Sequence, residues 1–203
     1  VGAEALLRWR ADGELQVAAS FIEVVEQTGL ILEVGRWVLE TACAQAVEWL
    51  AAQPMERFVV RVNLSARQLD RPALIDEVQA ALEHSGLPPE RLCLEITETA
   101  LVDEIEEASH VLAELRASGI RVAIDDFGTG YCSLSYLQRF PVDIVKIDRQ
   151  FIEELSDDKR TTSLATMILQ MTASLGVLSV AEGIERPEQM AALKKMGCDI
   201  GQG

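Results

Sequence analysis

The chain has 203 residues, 49% hydrophobic and 25% charged, so it holds enough apolar sequence for one sizeable core and is not a disordered segment. Its 18 Lys and Arg against 33 Asp and Glu leave a net charge of −15, which excludes the basic stripe that a nucleic-acid polymer or an anionic membrane requires. The four cysteines, Cys43, Cys93, Cys132 and Cys198, follow no CxxC spacing, and no apolar run reaches the length of a membrane span. A reducing, cytoplasmic setting follows, with no disulfide framework and no direct membrane insertion. Val1 opens inside an apolar segment and the sequence stops at Gly201-Gln202-Gly203 without a polar tail, so a single domain cut from a larger protein is expected.

In chain order, Glu4–Trp9 opens as a strand-like apolar run. Phe21–Thr28 and Ile31–Leu50 repeat apolar residues at i, i+3, i+4 and predict helices. Phe58–Val62 predicts a strand, Pro72–Ser85 a helix, Leu92–Ile96 a strand and Glu104–Ser118 a helix. Val122–Ile124, Ile144–Ile147 and Leu178–Ala181 predict further strands, and Arg149–Leu155, Arg160–Leu175 and Glu188–Met196 further helices. Glycines at 29, 86, 119, 176 and 197 stand just past helices, where a left-handed stop is usual. Strand followed by helix, repeated along the chain, predicts a parallel sheet covered by helices. No GxGxxG or GxxxxGK[ST] turn follows a strand, so a (β/α)8 barrel with trimmed ends is favoured over a doubly wound sheet. Trp9, Trp37 and Trp49 are expected in the core, as is the Met167/Met171 face of its helix. His84 and His110 lie on predicted helices away from the strand ends and are not expected to hold a metal.

The strands deliver polar groups at their C-terminal ends: Asn63, Glu95, Asp125 with Asp126, Lys146 and Glu182, joined by Glu4 on the opening run. In a barrel these ends meet on the face that carries active sites. One carboxylate at a strand end is commonly a helix cap or a surface charge. Five carboxylates against one lysine repel one another unless cations compensate, and Asn63 adds a sixth oxygen donor. Hard oxygen ligands without His or Cys point to Mg²⁺ or Mn²⁺, and their number suffices for two ions with adjacent Asp125-Asp126 as the bridge. Such a pair is the usual apparatus for in-line phosphodiester hydrolysis.

Seven ordered segments carry a resemblance: Glu4-Ala5-Leu6-Leu7-Arg8-Trp9, Val62-Asn63-Leu64-Ser65, Leu94-Glu95-Ile96-Thr97-Glu98, Asp125-Asp126-Phe127-Gly128-Thr129-Gly130-Tyr131, Lys146-Ile147-Asp148, Ala181-Glu182-Gly183-Ile184-Glu185 and Gly201-Gln202-Gly203. Together they resemble the EAL-domain cyclic di-GMP phosphodiesterases from one end of the chain to the other. The resemblance implies a modified (β/α)8 TIM-like barrel with one antiparallel strand, and hydrolysis of cyclic di-GMP to linear pGpG with Mg²⁺ or Mn²⁺. It implies that Glu4, Asn63, Glu95 and Asp125 hold a first ion, and Asp125, Asp126 and Glu182 a second. Lys146 orients the attacking water, Glu182 is the general base, and Gln202 stands near the water and metals. Arg8 meets a phosphate oxygen, and Asp148 and Glu185 line the site. Glu98 anchors the Phe127–Ser133 loop, which resembles the family's regulatory dimerisation loop. A homodimer, an attached sensor or GGDEF-type domain, inhibition by Ca²⁺ and a place in bacterial signal transduction, free or as the cytoplasmic domain of a membrane-bound protein, follow from the same resemblance.

Several residues carry competing structural readings. Arg8 could snorkel from a barrel strand, Lys146 could be a counter-ion alone, and Asp148 could cap the helix after it. The sequence departs from the family at Arg10-Ala11-Asp12-Gly13, which lacks a His-Pro, at Ala18-Ala19-Ser20, at Cys132 and at Arg186. None of these removes a metal-type ligand or the base. The alternatives are a cyclic di-GMP receptor without turnover, a one-Mg²⁺ enolising lyase with Lys146 as base, and a silent partner-binding domain.

Overall fold

The computed structural model describes residues 2–101, 105–129, 140–153, 155 and 159–203. Contacts divide the chain into two compact units, Val1–Ile96 with Glu104–Arg121 and Thr97–Asp103 with Val122–Gly203.

In the first unit three strands run parallel: β1 (Gly2–Ala5) pairs with β4 (Val59–Leu64), and β4 with β5 (Leu92–Thr97). Helices α2 (Ile31–Ala52), α3 (Ala66–Leu69), α4 (Ala73–Ser85) and α5 (Ile105–Ala117) belong to the same unit. Leu39, Cys43 and Ala46 of α2, Leu74 and Val78 of α4, and Leu112 and Leu115 of α5 are buried, as are Val60, Val62, Leu92 and Leu94 of the strands. Gly86 adopts φ 74° and ends α4 with its N–H on the Leu82 carbonyl, the left-handed stop its position predicts.

The opening run is not one strand. It breaks after β1, and β2 (Arg8–Ala11) pairs antiparallel with β3 (Glu14–Val17) as a separate ribbon. The connecting Asp12 and Gly13 have φ of 49° and 85°, so positive φ at both central residues makes the two-residue turn that an Asp-Gly pair favours. The ribbon is followed by α1 (Ile22–Gln27), and Trp9 packs edge-on against Phe21 at 5.7 Å. The tryptophans are not core residues: Trp9, Trp37 and Trp49 are 55%, 56% and 43% exposed. Trp49 packs edge-to-face with Phe58, as Trp9 does with Phe21, while much of each ring system stays at the surface.

In the second unit β6 (Arg121–Phe127), β7 (Ile144–Ile147), β8 (Leu178–Ala181) and β9 (Ile200–Gly201) pair in parallel, in that order. They are accompanied by α6 (Gln150–Glu153), α7 (Lys159–Leu175) and α8 (Pro187–Met196). Ile147, Ile152, Leu155, Ala165, Leu169, Ala181 and Leu193 form one buried cluster. The face of α7 that reaches it carries Ala165, Ile168 and Leu169, whereas Met167 is 64% exposed and does not belong to the core. Helices among the described residues include none long and apolar enough to cross a membrane.

Candidate active site

Strand alternation explains the placement in the first unit. Asn63 and Glu95 are register partners on β4 and β5, and Glu4 lies opposite Arg61, two residues before Asn63 on the same face. The Asn63 amide donates from Nδ2 to Glu4 Oε1 at 2.9 Å, which turns its carbonyl oxygen away as a remaining hard donor. Glu95 is fully buried, and the Arg61 guanidinium stands beside it, with Nε 3.5 Å from Oε1. Sequence reasoning passed over Arg61. The available signal was a lone charge inside the apolar run Val59-Val60-Arg61-Val62, at the i−2 position of Asn63.

In the second unit regular alternation would send Asp125 and Asp126 to opposite faces. The β6–β7 register instead shifts between Ile124 and Phe127, and Asp126 takes a left-handed φ of 53°. This bulge lets adjacent carboxylates converge: oxygens of Asp125, Asp126 and Glu182 lie within 4.8 Å of one another. Non-glycine residues rarely adopt this conformation, and Asp is among the few that tolerate it. Asp126 N–H donates to Asp125 Oδ1 at 3.0 Å, and Thr129 Oγ1 donates to the Asp126 carbonyl at 2.8 Å.

Lys146 Nζ stands 2.9 Å from Asp125 Oδ1 and 2.9 Å from Glu182 Oε1, with its side chain 1% exposed. Partial burial, then the Asp125 and Asp148 carboxylates, push the Asp126 carboxyl above its usual value, with Lys146 acting in the opposite direction. Asp148 Oδ1 accepts the Gln150 N–H at 2.8 Å at the start of α6, and its carboxylate is close enough to Asp126 to raise that group's pKa. The buried Glu98 accepts the Gly128 N–H at 2.7 Å, two residues beyond Asp126.

The remaining candidates are less involved in side-chain contacts. Gln202 is joined through its backbone, donating to the Ala181 carbonyl at 2.8 Å and accepting from Ile184 at 3.1 Å, which seats it beside Glu182. Glu185 is exposed, and its N–H donates to Gln189. Arg8 sits on the β2–β3 ribbon rather than on a strand of the parallel sheet, with Nη1 on the Leu7 carbonyl at 2.9 Å. Of the predicted Phe127–Ser133 loop, Phe127, Gly128 and Thr129 are described. Gly130, Tyr131, Cys132 and Ser133 lie outside the described residues. His84 and His110 lie on α4 and α5, where His110 faces Glu114 one turn away at 3.5 Å. Most functional groups stand inside the hydrogen-bonded strands rather than just past them, since β4, β5 and β6 continue beyond Asn63, Glu95 and Asp126; Glu182 follows β8.

A family model described as EAL domain matches residues 1–203. The chain belongs to the EAL-domain family. It is 40% identical over its whole length to the Pseudomonas aeruginosa bifunctional diguanylate cyclase/cyclic di-GMP phosphodiesterase MucR, covering 30% of that protein. It is 42% identical over 98% of its length to the cyclic di-GMP phosphodiesterase NbdA of the same species, covering 26% of that one. The chain thus spans under a third of these curated relatives. Among solved structures, the PaMucR phosphodiesterase in complex with c-di-GMP superposes with a TM-score of 0.90 at 39% identity, over 97% of this chain and 80% of that one. The EAL enzyme Bd1971 with cAMP and cyclic di-GMP bound gives 0.92 at 30% identity, over all of this chain and 56% of its own. The EAL domain therefore has the TIM-like α/β fold of these enzymes, its parallel strands followed by helices as the sequence pattern predicts.

Proposed function

We propose that this EAL domain hydrolyses cyclic di-GMP to linear pGpG, residues 1–203 acting as one catalytic module of a longer cytoplasmic or membrane-attached signalling protein. The observation that carries this reading is the convergence of Asp125, Asp126 and Glu182 around buried Lys146. The donors suit a hard divalent cation: all are oxygens, none is His or Cys, and the bulge at Asp126 brings them together at the cost of an uncommon backbone conformation. Asp125, Asp126 and Glu182 would hold one Mg²⁺ or Mn²⁺, and Glu4, Asn63 and Glu95 would hold the other. When bound, such a pair supplies an acidified water and stabilisation of the attacking and leaving oxygens of a phosphodiester.

The protein's own groups do the rest. Lys146 holds Glu182 and Asp125 in place and orients the attacking water. Glu182, anchored through its N–H on the Ile147 carbonyl at 3.2 Å, accepts the proton of the attacking water. Gln202 positions that water from the neighbouring strand end. Arg8 meets a phosphate oxygen, and Asp148 and Glu185 line the site. Ca²⁺ competes without supporting turnover, since it prefers more ligands at longer distances than in-line attack allows. The relatives' names add the nucleotide, and the family resemblance read from the sequence adds a homodimer and an attached GGDEF-type or sensor domain.

Glu182→Gln tests the reading. The variant is expected to bind cyclic di-GMP while losing turnover by about 10²–10⁴-fold, the range of general-base catalysis. Turnover at the unmodified rate would remove Glu182 from the chemistry.

A further inference from the structure

Arg61 has no part in the proposed hydrolysis, yet it stands beside Glu95 of one ligand set. It is the one charged residue of β4, its side chain is 13% exposed, and Asn63 follows two positions later on the same strand face. Its register partners are Glu4 on β1 and Cys93 on β5, and its Nε lies 3.5 Å from Oε1 of fully buried Glu95. Space for the guanidinium comes from Gly2. A Cβ there would stand 3.0 Å from Arg61 Nη1 and 2.6 Å from the Val59 carbonyl oxygen, so the bare backbone of β1 lets the arginine lie across it.

We propose that Arg61 is a built-in competitor of the divalent ion at Glu4, Asn63 and Glu95, a fixed cation that weakens metal binding there and sets the metal concentration at which the domain becomes a hydrolase. This rests on the two-ion reading above. A guanidinium stays protonated at any working pH, so it cannot be titrated out of the way. It shares the carboxylate of Glu95 with the incoming ion, and in a buried site the repulsion between two cations a few ångströms apart is poorly screened. The opposite role, holding Glu95 ready for metal, needs a short directional hydrogen bond of about 2.7–2.9 Å. At 3.5 Å the contact supplies charge with little geometric hold, and repulsion is the larger effect.

Titration calorimetry with Mn²⁺ at fixed ionic strength tests this on the purified domain and its Arg61→Gln, Arg61→Ser and Arg61→Lys variants, with melting curves in EDTA to report folding. Either neutral variant is expected to bind one of two Mn²⁺ ions about tenfold more tightly or better, the scale of one unscreened neighbouring charge, while the other ion is unaffected. Arg61→Lys, which keeps the charge, stays close to the parent. Unchanged or weaker Mn²⁺ binding in a folded neutral variant overturns the inference, as does a lowered melting temperature in EDTA with no gain in affinity, the signature of a purely structural arginine. Failure of the two-ion reading looks different: no version, the parent included, takes up a second Mn²⁺.

Discussion

Lys146 Nζ stands 2.9 Å from Glu182 Oε1 in a side chain that is 1% exposed, so the proposed base and the most buried cation among the described residues form one unit. The same nitrogen reaches Asp125 at 2.9 Å, and one positive charge thereby steadies two carboxylates before any metal arrives. Removing it takes away the cation that both carboxylates contact. Lys146→Met is expected to destabilise the metal-free domain by about 2–3 kcal/mol, somewhat less than a fully buried pair costs because both carboxylates retain some water. Mn²⁺ should recover more stability in this variant than in the parent. Melting temperatures in EDTA and in Mn²⁺ check this, and an equal Mn²⁺ shift in both proteins contradicts it.

Glu98 accepts the Gly128 N–H at 2.7 Å, and Thr129 Oγ1 donates back to the Asp126 carbonyl, so the segment after β6 is tied down just past the bulge. On the proposed reading, order there and metal occupancy at Asp126 are expected to be coupled. Glu98→Ala is expected to raise the metal concentration for half-maximal activity and to lower kcat together, by a coupling of about 1–3 kcal/mol. Metal titration of the folded variant decides. An unchanged requirement with only a lower melting temperature leaves Glu98 as a structural residue.

The site was legible in sequence where chemistry is carried by residue type. Asp125, Asp126, Glu182 and Lys146 were expected together from strand ends alone, and they meet. What periodicity could not supply was the bulge, because a two-residue carboxylate pair reads as opposite-facing in any regular strand and only the left-handed φ of Asp126 reverses that. The β2–β3 ribbon was missed for a different reason: Asp12-Gly13 is a strong hairpin signal, but it sat in a segment too short for its strands to show alternation. The tryptophans went wrong because large aromatic residues bury much area without being enclosed, and a sequence does not show how many sides of a helix are covered. Arg61 was hidden by composition, one charge inside an apolar strand.

Burial of Cys43 on α2 raises its thiol from 9.0 to about 11, so the folded state holds the proton more tightly than the unfolded chain. The resulting stabilisation is complete below pH 9 and is lost as pH rises through 9 toward 11. Cys43→Ala removes that slope. At pH 8 the variant is expected to be less stable by about 1–2 kcal/mol, from lost packing at a closed site, and by pH 10.5 the difference should shrink by about 2 kcal/mol. Urea denaturation at the two pH values measures it. A difference that stays constant contradicts the buried-thiol account.

The central claim is hydrolysis, and product analysis tests it most directly. The purified domain is incubated with cyclic di-GMP in Mg²⁺, Mn²⁺, Ca²⁺ or EDTA, and the nucleotides are separated by chromatography. The account predicts linear pGpG in Mg²⁺ or Mn²⁺, none in EDTA, and suppression when Ca²⁺ is added to either active metal. Retention of intact cyclic di-GMP by a domain that binds it, at every Mg²⁺ and Mn²⁺ concentration tried, would contradict the account and make the domain a receptor.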